Sequence, residues 1–345
     1  MRFSIKLKHT GKLCVQKFLE HLVKIKLSRT RPTVIGITGS FGKTSTKEAI
    51  YEVLKTRWNV CRSQKSLNTE IGLTIAVLEQ PSGFSSPIKW AKILASAVKN
   101  AFWGSKYDFI ILEYGADKPG DIEHLVKIVK PHISIITHIS KVHQAENQFK
   151  NEEDVFNEKK RLVEVLGPQN TAILNWNDNF LKKLDKHLRA KTFWFNSHRG
   201  IFAENLVNTH EGFSATIQMD NQKYPADFCI PGTYNINIFL PALLCGVLNG
   251  ISMEEGIRAL KKFKLPPGRM SIIEGKNGSI LLDSSYNASP ETTKQALKLL
   301  QDFPAKRKIA VLGNMNELGK SSHEEHYEIA NYIDEMWLDE LITVG

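Results

Sequence analysis

Residues 36–46 combine the glycines and side chains best suited to chemistry, in the order Gly-Ile-Thr-Gly-Ser-Phe-Gly-Lys-Thr-Ser-Thr. An apolar run at 33–37 precedes them and a helix-like run at 43–54 follows, so the segment predicts a strand, a glycine turn and a helix. The N–H groups of such a turn and the positive end of the helix can close on a phosphate. Lys43 can reach the outer phosphates, and the Thr44 hydroxyl can ligate magnesium. The segment therefore predicts a site for a nucleoside triphosphate.

The spacing within this loop is shorter than in the common P-loop. Gly39 is followed by only two residues, Ser40 and Phe41, before Gly42 and Lys43, where the common motif has four. The alternative interpretation is a tight strand-to-helix turn without a ligand. The flanking strand and helix favour the phosphate loop.

Size and composition describe an ordinary globular protein. The chain has 345 residues, of which 42% are hydrophobic and 24% charged, and this length predicts two or three domains. Its four cysteines form no Cys-x-x-Cys pair, so they indicate neither a zinc site nor a disulfide framework and favour a reducing cytoplasm. We find no signal peptide, and three lysines interrupt the apolar segment 87–103, which therefore predicts no membrane span.

The net charge of +10 is concentrated in residues 1–32. Nine basic side chains stand there against one acid, which gives +8 and leaves +2 for the rest of the chain. The nearly neutral body argues against a protein that binds nucleic acid. This basic arm could lie on an anionic membrane surface through one apolar helix face, or it could be a solvated basic helix packed on the body, which we favour. The apolar face comprises Leu13, Phe18, Leu19, Leu22 and Val23.

Strand and helix signals alternate after residue 32. Strands are predicted at 108–113, 132–138 and 171–175, with helices at 120–130 and 151–166. Continuous apolar strands alternating with helices predict a parallel sheet covered on both faces. Short antiparallel strands follow at 201–207, 212–219 and 222–230, and then helices at 235–248 and 252–263. The predicted fold is α/β, with a central P-loop-type, mostly parallel sheet flanked by helices and a small antiparallel sheet.

A stiff connection, Leu265-Pro-Pro-Gly268, is the best candidate for a linker. Beyond it strands and helices alternate again until residue 344, which predicts a partial Rossmann-like α/β domain that looks cut short. The predicted divisions are a basic arm at 1–32, a central nucleotide-binding domain at 33–266 and an incomplete C-terminal domain at 267–345.

Several further side chains could carry chemistry near the phosphate loop. Glu113 ends a predicted strand, where ligands of open parallel sheets bind, and is suited to hold magnesium across from Thr44, although many strand-end acids are solvated caps. His143 follows another strand and could ligate a metal or be structural. On composition alone, Lys159 and Lys160 belong to a solvated, charged helix face.

Two more candidates lie at the linker and beyond it. Arg269 follows the Pro-Pro-Gly turn, and a guanidinium at a domain hinge can reach a γ-phosphate, although surface arginines are common. Asp283 ends a predicted strand and could hydrogen-bond a ribose, as acids do in other nucleotide sites.

Taken in order, these segments resemble the Mur ligase family, the ATP-dependent amide ligases of peptidoglycan synthesis. The resemblance covers residues 33–345 and rests on segments 39–44, 113–122, 137–143, 172–175, 231–235, 268–269 and 283–288. Segments 283–290 and 310–319 are most similar to the family members that add D-alanyl-D-alanine to a UDP-N-acetylmuramoyl-tripeptide.

The resemblance implies a central ATPase domain, a C-terminal Rossmann-like domain, and ATP-dependent ligation through an acyl phosphate. It implies magnesium, as two ions, held by Thr44, Glu113 and His143, and a carbamylated lysine at Lys159. The implied nucleotide contacts, with Asn235 beside the adenine, are Gly39, Ser40, Gly42, Lys43, Thr44, Ser45, Asn235, Arg269 and Asp283. The implied catalytic residues are Lys43, Lys159 and Arg269.

The implied partners are a nucleotide-sugar peptide and a dipeptide, without nucleic acid, for a cytoplasmic monomer. Four positions depart from the family pattern: Tyr234 for the usual His, Ile238 for Asn, Ser284 for an acid and Asn314 for Asp. The family's N-terminal domain, which holds the UDP end of the substrate, is expected to be missing. Two alternatives therefore stay open: a non-catalytic or relict ATP-binding module, and a Mur-type ligase for a different acid and amine.

Overall fold

The structure, a computed structural model, describes residues 2–64, 67–81, 86–140, 148–209 and 211–345, with side chains from residue 13 onward except those of Pro87 and Lys320. Within these residues, one sheet of nine strands lies between helices on both faces. Its strands are β1 (Thr33–Thr38), β2 (Val60–Arg62), β3 (Phe109–Glu113), β4 (Ile133–Ile136), β5 (Thr171–Asn175), β6 (Lys191–Phe195), β7 (Ile201–Asn208), β8 (Phe213–Met219) and β9 (Gln222–Phe228).

Ten of the described helices belong to this sheet domain. They are α1 (Arg2–Thr30), α2 (Lys43–Leu54), α3 (Glu70–Val77), α4 (Pro87–Trp103), α5 (Asp121–Ile128), α6 (Glu152–Lys159), α7 (Arg161–Glu164), α8 (Asn179–Lys182), α9 (Ile236–Leu248) and α10 (Met253–Leu260). A short 3-10 turn, Thr233–Asn235, leads into α9. The C-terminal unit contains β10 (Ser271–Glu274), β11 (Ile280–Asp283), α11 (Pro290–Asp302), β12 (Ile309–Gly313), α12 (Ser322–Asp334) and β13 (Glu340–Val344).

The strand order is β2-β3-β1-β4-β5-β6-β7-β8-β9. Strands from β2 to β7 pair in parallel, and β7, β8 and β9 continue the same sheet with antiparallel pairing. The predicted antiparallel strands therefore extend the large sheet. The chain leaves β1 toward β2 on one side and later returns to β4 on the other, so β1 lies at the topological switch point where open sheets bind ligands.

The apolar strands supply both cores. Val34 and Ile110 face one cluster of buried side chains, whereas Ile35 and Ile111 face the other. Helices α1, α3, α4 and α5 contribute to the first cluster, and α2, α9 and α10 contribute to the second. A strand buried on both faces needs apolar residues at consecutive positions. The predicted α/β fold, with helices on both faces of a mostly parallel sheet, is confirmed.

Helix α1 packs against this body by part of its predicted apolar face. Leu19, Leu22 and Val23 lie in the first core, whereas Leu13 and Phe18 are exposed. The packing of those three buried residues agrees with the interpretation of the arm as a helix packed on the body. None of the described helices has both the length and the apolar character that crossing a bilayer requires.

Candidate active site

The turn between β1 and α2 is shaped by two glycines. Gly42 has a φ of +81° at the N-terminal cap of α2, and no described side chain caps the helix there. The first N–H groups of a helix have no partner within the helix, so they face the turn as donors. Gly39 has a φ of +148°, and a Cβ there would lie 2.0 Å from Thr137 Oγ1. The cradle therefore needs glycine at both positions.

Lys43 folds back over this cradle. Its Nζ donates hydrogen bonds to the carbonyl oxygens of Gly39 at 2.6 Å and Ser40 at 3.3 Å. Burial lowers the pKa of Lys43 to about 8; the Glu113 carboxylate opposes this shift and the Arg269 guanidinium adds to it. An anionic phosphate beside Lys43 would stabilise the charged form of this lysine.

Thr44 and Glu113 meet at the carboxyl edge of the sheet. The Thr44 hydroxyl donates to Glu113 Oε2 over 3.0 Å, and the Glu113 side chain is fully buried. Adjacent ligands of octahedral magnesium, each about 2.1 Å from the ion, are about 3.0 Å apart. This pair therefore fits magnesium. No group of three His, Cys, Asp or Glu side chains suited to a metal occurs in the described part of the chain, and the predicted ligand His143 lies outside it.

Lys47 is a site residue that the sequence reasoning missed. Its side chain is fully buried, with Nζ 3.0 Å from Glu113 Oε1 and 3.3 Å from Glu48 Oε1. It also donates to the Ser63 carbonyl oxygen over 2.6 Å. The available signal was its position three residues after Thr44, which places both residues on one face of α2.

Lys159 is the buried member of the Lys159–Lys160 pair. Its side chain is 1% exposed, and burial lowers its pKa to about 7, with the nearby positive charge of Lys43 adding to the shift. Lys160 is half-buried and lies 3.6 Å from the Glu164 carboxylate. The solvated helix face expected from composition is therefore wrong for Lys159, the lysine that the family resemblance singles out, because α6 packs with this side chain buried.

Asn235 and Tyr234 lie on the 3-10 turn before α9 and line the same cavity. Asn235 is 2% exposed, and its Nδ2 donates to the Pro231 carbonyl oxygen over 2.7 Å. The Tyr234 hydroxyl is buried without a hydrogen-bond partner among the described atoms. Ile238, another departure from the family pattern, also lines the cavity.

The linker places Arg269 in the lining of the cavity described below. The guanidinium carbon of Arg269 lies 4.1 Å from the centre of the Tyr286 ring. Both carboxylate oxygens of Asp283 bind backbone N–H groups, from Gly268 and Ser285, at 3.0 Å. Hydrogen bonds, chiefly from Ser285, hold the pKa of Asp283 below its ordinary value. Asp283 therefore braces the linker turn in this structure.

One cavity of about 720 Å³ joins these elements. Its size lies within the ordinary range of ligand sites. The predicted residues that line it are Ser40, Gly42, Lys43, Ser45, Glu113, Asn235 and Arg269. Residues of the C-terminal unit close the opposite side, among them Tyr286, Glu291 and Asn316. Burial raises the pKa of Glu291, which the sequence reasoning also missed.

Gly39 in the turn and Thr44 in the first turn of α2 both contact lining residues. Lys159 and Asp283 are not among the described residues that line the cavity. The arrangement offers a phosphate cradle, a carboxylate-hydroxyl pair for a divalent cation, and a buried lysine. A site of this construction can bind a nucleoside triphosphate and transfer its terminal phosphoryl group by positioning and charge neutralisation.

Known proteins are similar to this chain in sequence and in fold. UDP-N-acetylmuramoyl-tripeptide–D-alanyl-D-alanine ligase of Bacillus subtilis is 27% identical over 331 residues, covering 95% of this chain and 66% of that protein. The chain thus spans about two thirds of the length of this relative. A structure of MurF from Acinetobacter baumannii has the same fold, with a TM-score of 0.81 at 22% identity over 96% of this chain and 67% of that one.

A structure of MurF ligase from Thermotoga maritima in complex with ADP gives a TM-score of 0.76 at 25% identity, covering 95% of this chain and 70% of that one. Two family models match in sequence order: the Mur ligase middle domain at residues 37–246 and the Mur ligase glutamate ligase domain at residues 268–345. Since the middle-domain model alone matches well over half of the 345 residues, the chain belongs to the Mur ligase family.

Proposed function

We propose that this chain carries out ATP-dependent amide ligation in peptidoglycan precursor synthesis, joining D-alanyl-D-alanine to a UDP-N-acetylmuramoyl-tripeptide. The observation that carries the proposal is the cavity in which the phosphate loop faces the C-terminal unit across Arg269. The name of the Bacillus subtilis relative supplies the substrates. Because the chain spans 66% of that relative, the activity and both substrates are parts of the proposal.

The proposed reaction has two steps. A carboxylate oxygen of the tripeptide forms a bond to the γ-phosphorus of ATP, the bond to the β-phosphate oxygen breaks, and ADP leaves. The amine of the dipeptide then attacks the acyl carbon of the resulting acyl phosphate. The C–N bond forms, the C–O bond to phosphate breaks, and the amine gives up a proton as phosphate departs.

The residues of the chain position and neutralise charge in these steps. The N–H groups of the Gly39–Thr44 loop hold the phosphates, with Lys43 and Arg269 on the outer oxygens. Ser45 and Asn235 complete the nucleotide contacts, with Asn235 beside the adenine. Magnesium, bound by Thr44 and Glu113, would neutralise phosphate charge. We keep His143 as a ligand of a second magnesium ion and Asp283 as the ribose contact in this proposal.

Lys159 is proposed to be carbamylated. A lysine amine reacts with carbon dioxide only when neutral, and a pKa of about 7 makes much of Lys159 neutral at physiological pH. The product is a carboxylate, which would place a negative charge near the positive charge of Lys43. Such a group is suited to organise the lysine and magnesium charges of the site.

We further propose the division into an arm at 1–32, a central ATP-binding domain at 33–266 and a C-terminal ligase domain at 267–345, in a cytoplasmic monomer that does not bind nucleic acid. The C-terminal strands support the second boundary, since β10 pairs with β11 and β12 with β13, apart from the large sheet, within the described residues.

The deciding experiment measures phosphate release with ATP, magnesium and both peptide substrates. Release that requires both substrates and is lost in Lys43→Ala supports the ligase. If Lys43→Ala loses ATP binding and no acceptor stimulates turnover by the wild-type protein, the chain is a non-catalytic ATP-binding module. A screen in which another acid and amine stimulate release, while the two named substrates do not, would identify a Mur-type ligase of different specificity.

A further inference from the structure

Helices α1 and α4 form one connected surface outside the active site. Lys26 of α1 is fully buried and donates to Glu79 Oε1 at 2.6 Å and to Asn100 Oδ1 of α4 at 2.5 Å. Arg29 of α1 donates to the carbonyl oxygens of Ala101 and Gly104 at the end of α4. These contacts fix the two helices side by side. We call the exposed side chains of residues 13–30 and 88–106 the α1–α4 surface.

This surface is basic and lacks exposed acids. Within residues 13–30 and 88–106, whose side chains the structure describes, the one acid is Glu20, which is half-buried and accepts a hydrogen bond from Gln16. The exposed lysines of the surface are Lys17, Lys24, Lys89, Lys92, Lys99 and Lys106. Lys92 and Lys99 are seven residues apart on α4, and Lys17 and Lys24 are seven apart on α1, so each pair repeats along one face of its helix.

The same surface exposes large apolar side chains between the lysines. Trp103 is 76% exposed and Ile88 is 74% exposed, at opposite ends of α4. Phe102 on α4 and Leu13 and Phe18 on α1 are also exposed. The opposite face of α4 packs into the core through Ala97 and Ala101. Helix α4 is therefore anchored on one face and presents apolar and basic side chains together on the other.

We propose that the α1–α4 surface docks on a membrane containing anionic phospholipids. Lysines on a helix face bind anionic headgroups, and Trp, Phe and Ile beside them enter the boundary between headgroups and acyl chains. Tryptophan in particular favours the membrane–water interface, because its ring is apolar while its N–H remains in polar surroundings. This docking goes beyond the ligase chemistry and does not depend on it.

The exposed lysines and apolar side chains favour a membrane over two other partners, a second copy of this chain and a nucleic acid. A second copy of the same surface would place exposed lysines against lysines, with no exposed acid of the described surface to pair with them. A nucleic acid would satisfy the lysines but would leave aliphatic Ile88 and Leu13 in water. A bilayer surface accommodates both the charge and the aliphatic side chains.

The test is co-sedimentation of the full chain with vesicles of phosphatidylcholine alone and of phosphatidylcholine mixed with phosphatidylglycerol. We expect binding at least about tenfold stronger to the mixed vesicles, and we expect salt to weaken it. The double variant Lys92→Glu/Lys99→Glu should bind at least about tenfold more weakly. Its matched control is Lys261→Glu/Lys262→Glu, which changes the net charge equally at exposed positions after α10, on the other face of the sheet.

A second experiment tests whether Trp103 enters the membrane. Brominated phospholipids should quench tryptophan fluorescence in the full chain, and Trp103→Ser should remove much of that quenching. Trp337→Ser is the matched control, because Trp337 is 62% exposed but lies in the C-terminal unit. All four variants alter exposed side chains, so circular dichroism should show an unchanged fold.

Equal binding to neutral and anionic vesicles would overturn the proposal, as would equal losses in the two double-lysine variants. Failure to bind vesicles, with or without binding to a DNA duplex, would also overturn it. Binding that requires the anionic lipid, Lys92 with Lys99, and Trp103 supports it, whatever the outcome of the ligase assay.

Discussion

Lys47 Nζ lies 3.0 Å from Glu113 Oε1, while the Thr44 hydroxyl donates to Glu113 Oε2 at the same distance. The two oxygens of one buried carboxylate thus have separate partners on α2. The Thr44 hydroxyl holds Oε2, and the Lys47 ammonium compensates the charge at Oε1. Removing one member of a buried ion pair costs about 3–5 kcal/mol, because the remaining charge stays buried.

We predict that Lys47→Met lowers the free energy of unfolding by about 3 kcal/mol, measured by urea denaturation. The matched control is Lys26→Met, another fully buried lysine in an ion pair. Its partner Glu79 is 28% exposed, so water can solvate the carboxylate that remains, and the loss should be clearly smaller.

The double variant Lys47→Met/Glu113→Gln should recover part of this loss, because it removes the unpaired carboxylate as well. Additive losses in the two single variants would show that Lys47 stabilises the fold through packing and its bond to Ser63 rather than through Glu113.

The glycine at position 39 is predicted to be required because of Thr137. A Cβ at Gly39 would lie 2.0 Å from Thr137 Oγ1, and that hydroxyl donates to the Phe41 carbonyl oxygen over 2.6 Å. Gly39→Ala should therefore displace Thr137, distort the loop and weaken ATP binding at least about tenfold, measured by titration calorimetry. Gly42→Ala should cost about 1–2 kcal/mol of stability from its left-handed backbone alone, since its nearest neighbour would be 3.9 Å away.

Combining Gly39→Ala with Thr137→Ala separates the clash from backbone strain. If the clash dominates, the double variant should be more stable than the sum of the two single losses predicts. Strictly additive losses would show that the φ of Gly39, rather than Thr137, makes glycine necessary.

Local pattern correctly predicted the strand, turn and helix around Gly39–Thr44 and the place of Glu113 at the end of β3. The glycines and Lys43 lie within one turn, and Glu113 ends a continuous apolar run. Both predictions therefore depended only on neighbouring residues. Lys47 was missed because a lysine in a helix is ordinarily solvated. Its burial depends on α2 packing over β3, and that strand is more than fifty residues away in the chain.

The apolar face proposed for the arm shows a second limit. Leu13, Phe18, Leu19, Leu22 and Val23 share spacing typical of one helix face, yet the body covers Leu19, Leu22 and Val23 and leaves the other two exposed. Which part of an amphipathic helix is covered depends on the neighbouring helices, here α3, α4 and α5. The hydrophobic pattern of α1 alone carries no information about where those helices lie.

Lys159 should make stability depend on pH. Burial lowers its pKa to about 7 from an ordinary 10.5, so between these values the unfolded chain binds a proton that the folded chain has lost. The free energy of unfolding therefore rises with pH across this window. Below about pH 7 the folded protein bears the full cost of burying the charged Lys159 amine. Without added carbon dioxide, the wild-type protein should gain about 2 kcal/mol more than Lys159→Met between pH 7 and 9, measured by urea denaturation.

Lys160→Met is the control for this pH effect, because Lys160 is half-buried and lies near Glu164. That variant should keep the wild-type pH dependence. A pH dependence that persists in Lys159→Met and disappears in Lys160→Met would reverse the assignment of the buried lysine. Labelled bicarbonate should also give a carbamate signal in the carbon-13 spectrum that Lys159→Met removes.

We predict that the Thr44 hydroxyl binds magnesium rather than the nucleotide itself. Thr44→Val keeps the shape of the side chain but removes the oxygen that lies 3.0 Å from Glu113 Oε2, while the N–H groups of the loop remain. The factor by which magnesium strengthens ADP binding should be at least about tenfold smaller in this variant than in the wild-type protein. The affinity for ADP in EDTA should be the same in both proteins. Titration calorimetry with and without magnesium measures both.

Thr74→Val is the matched control, because Thr74 is a fully buried helical threonine whose hydroxyl donates to the Ile71 carbonyl oxygen of its own helix. Equal losses with and without magnesium would place the Thr44 hydroxyl on a phosphate instead.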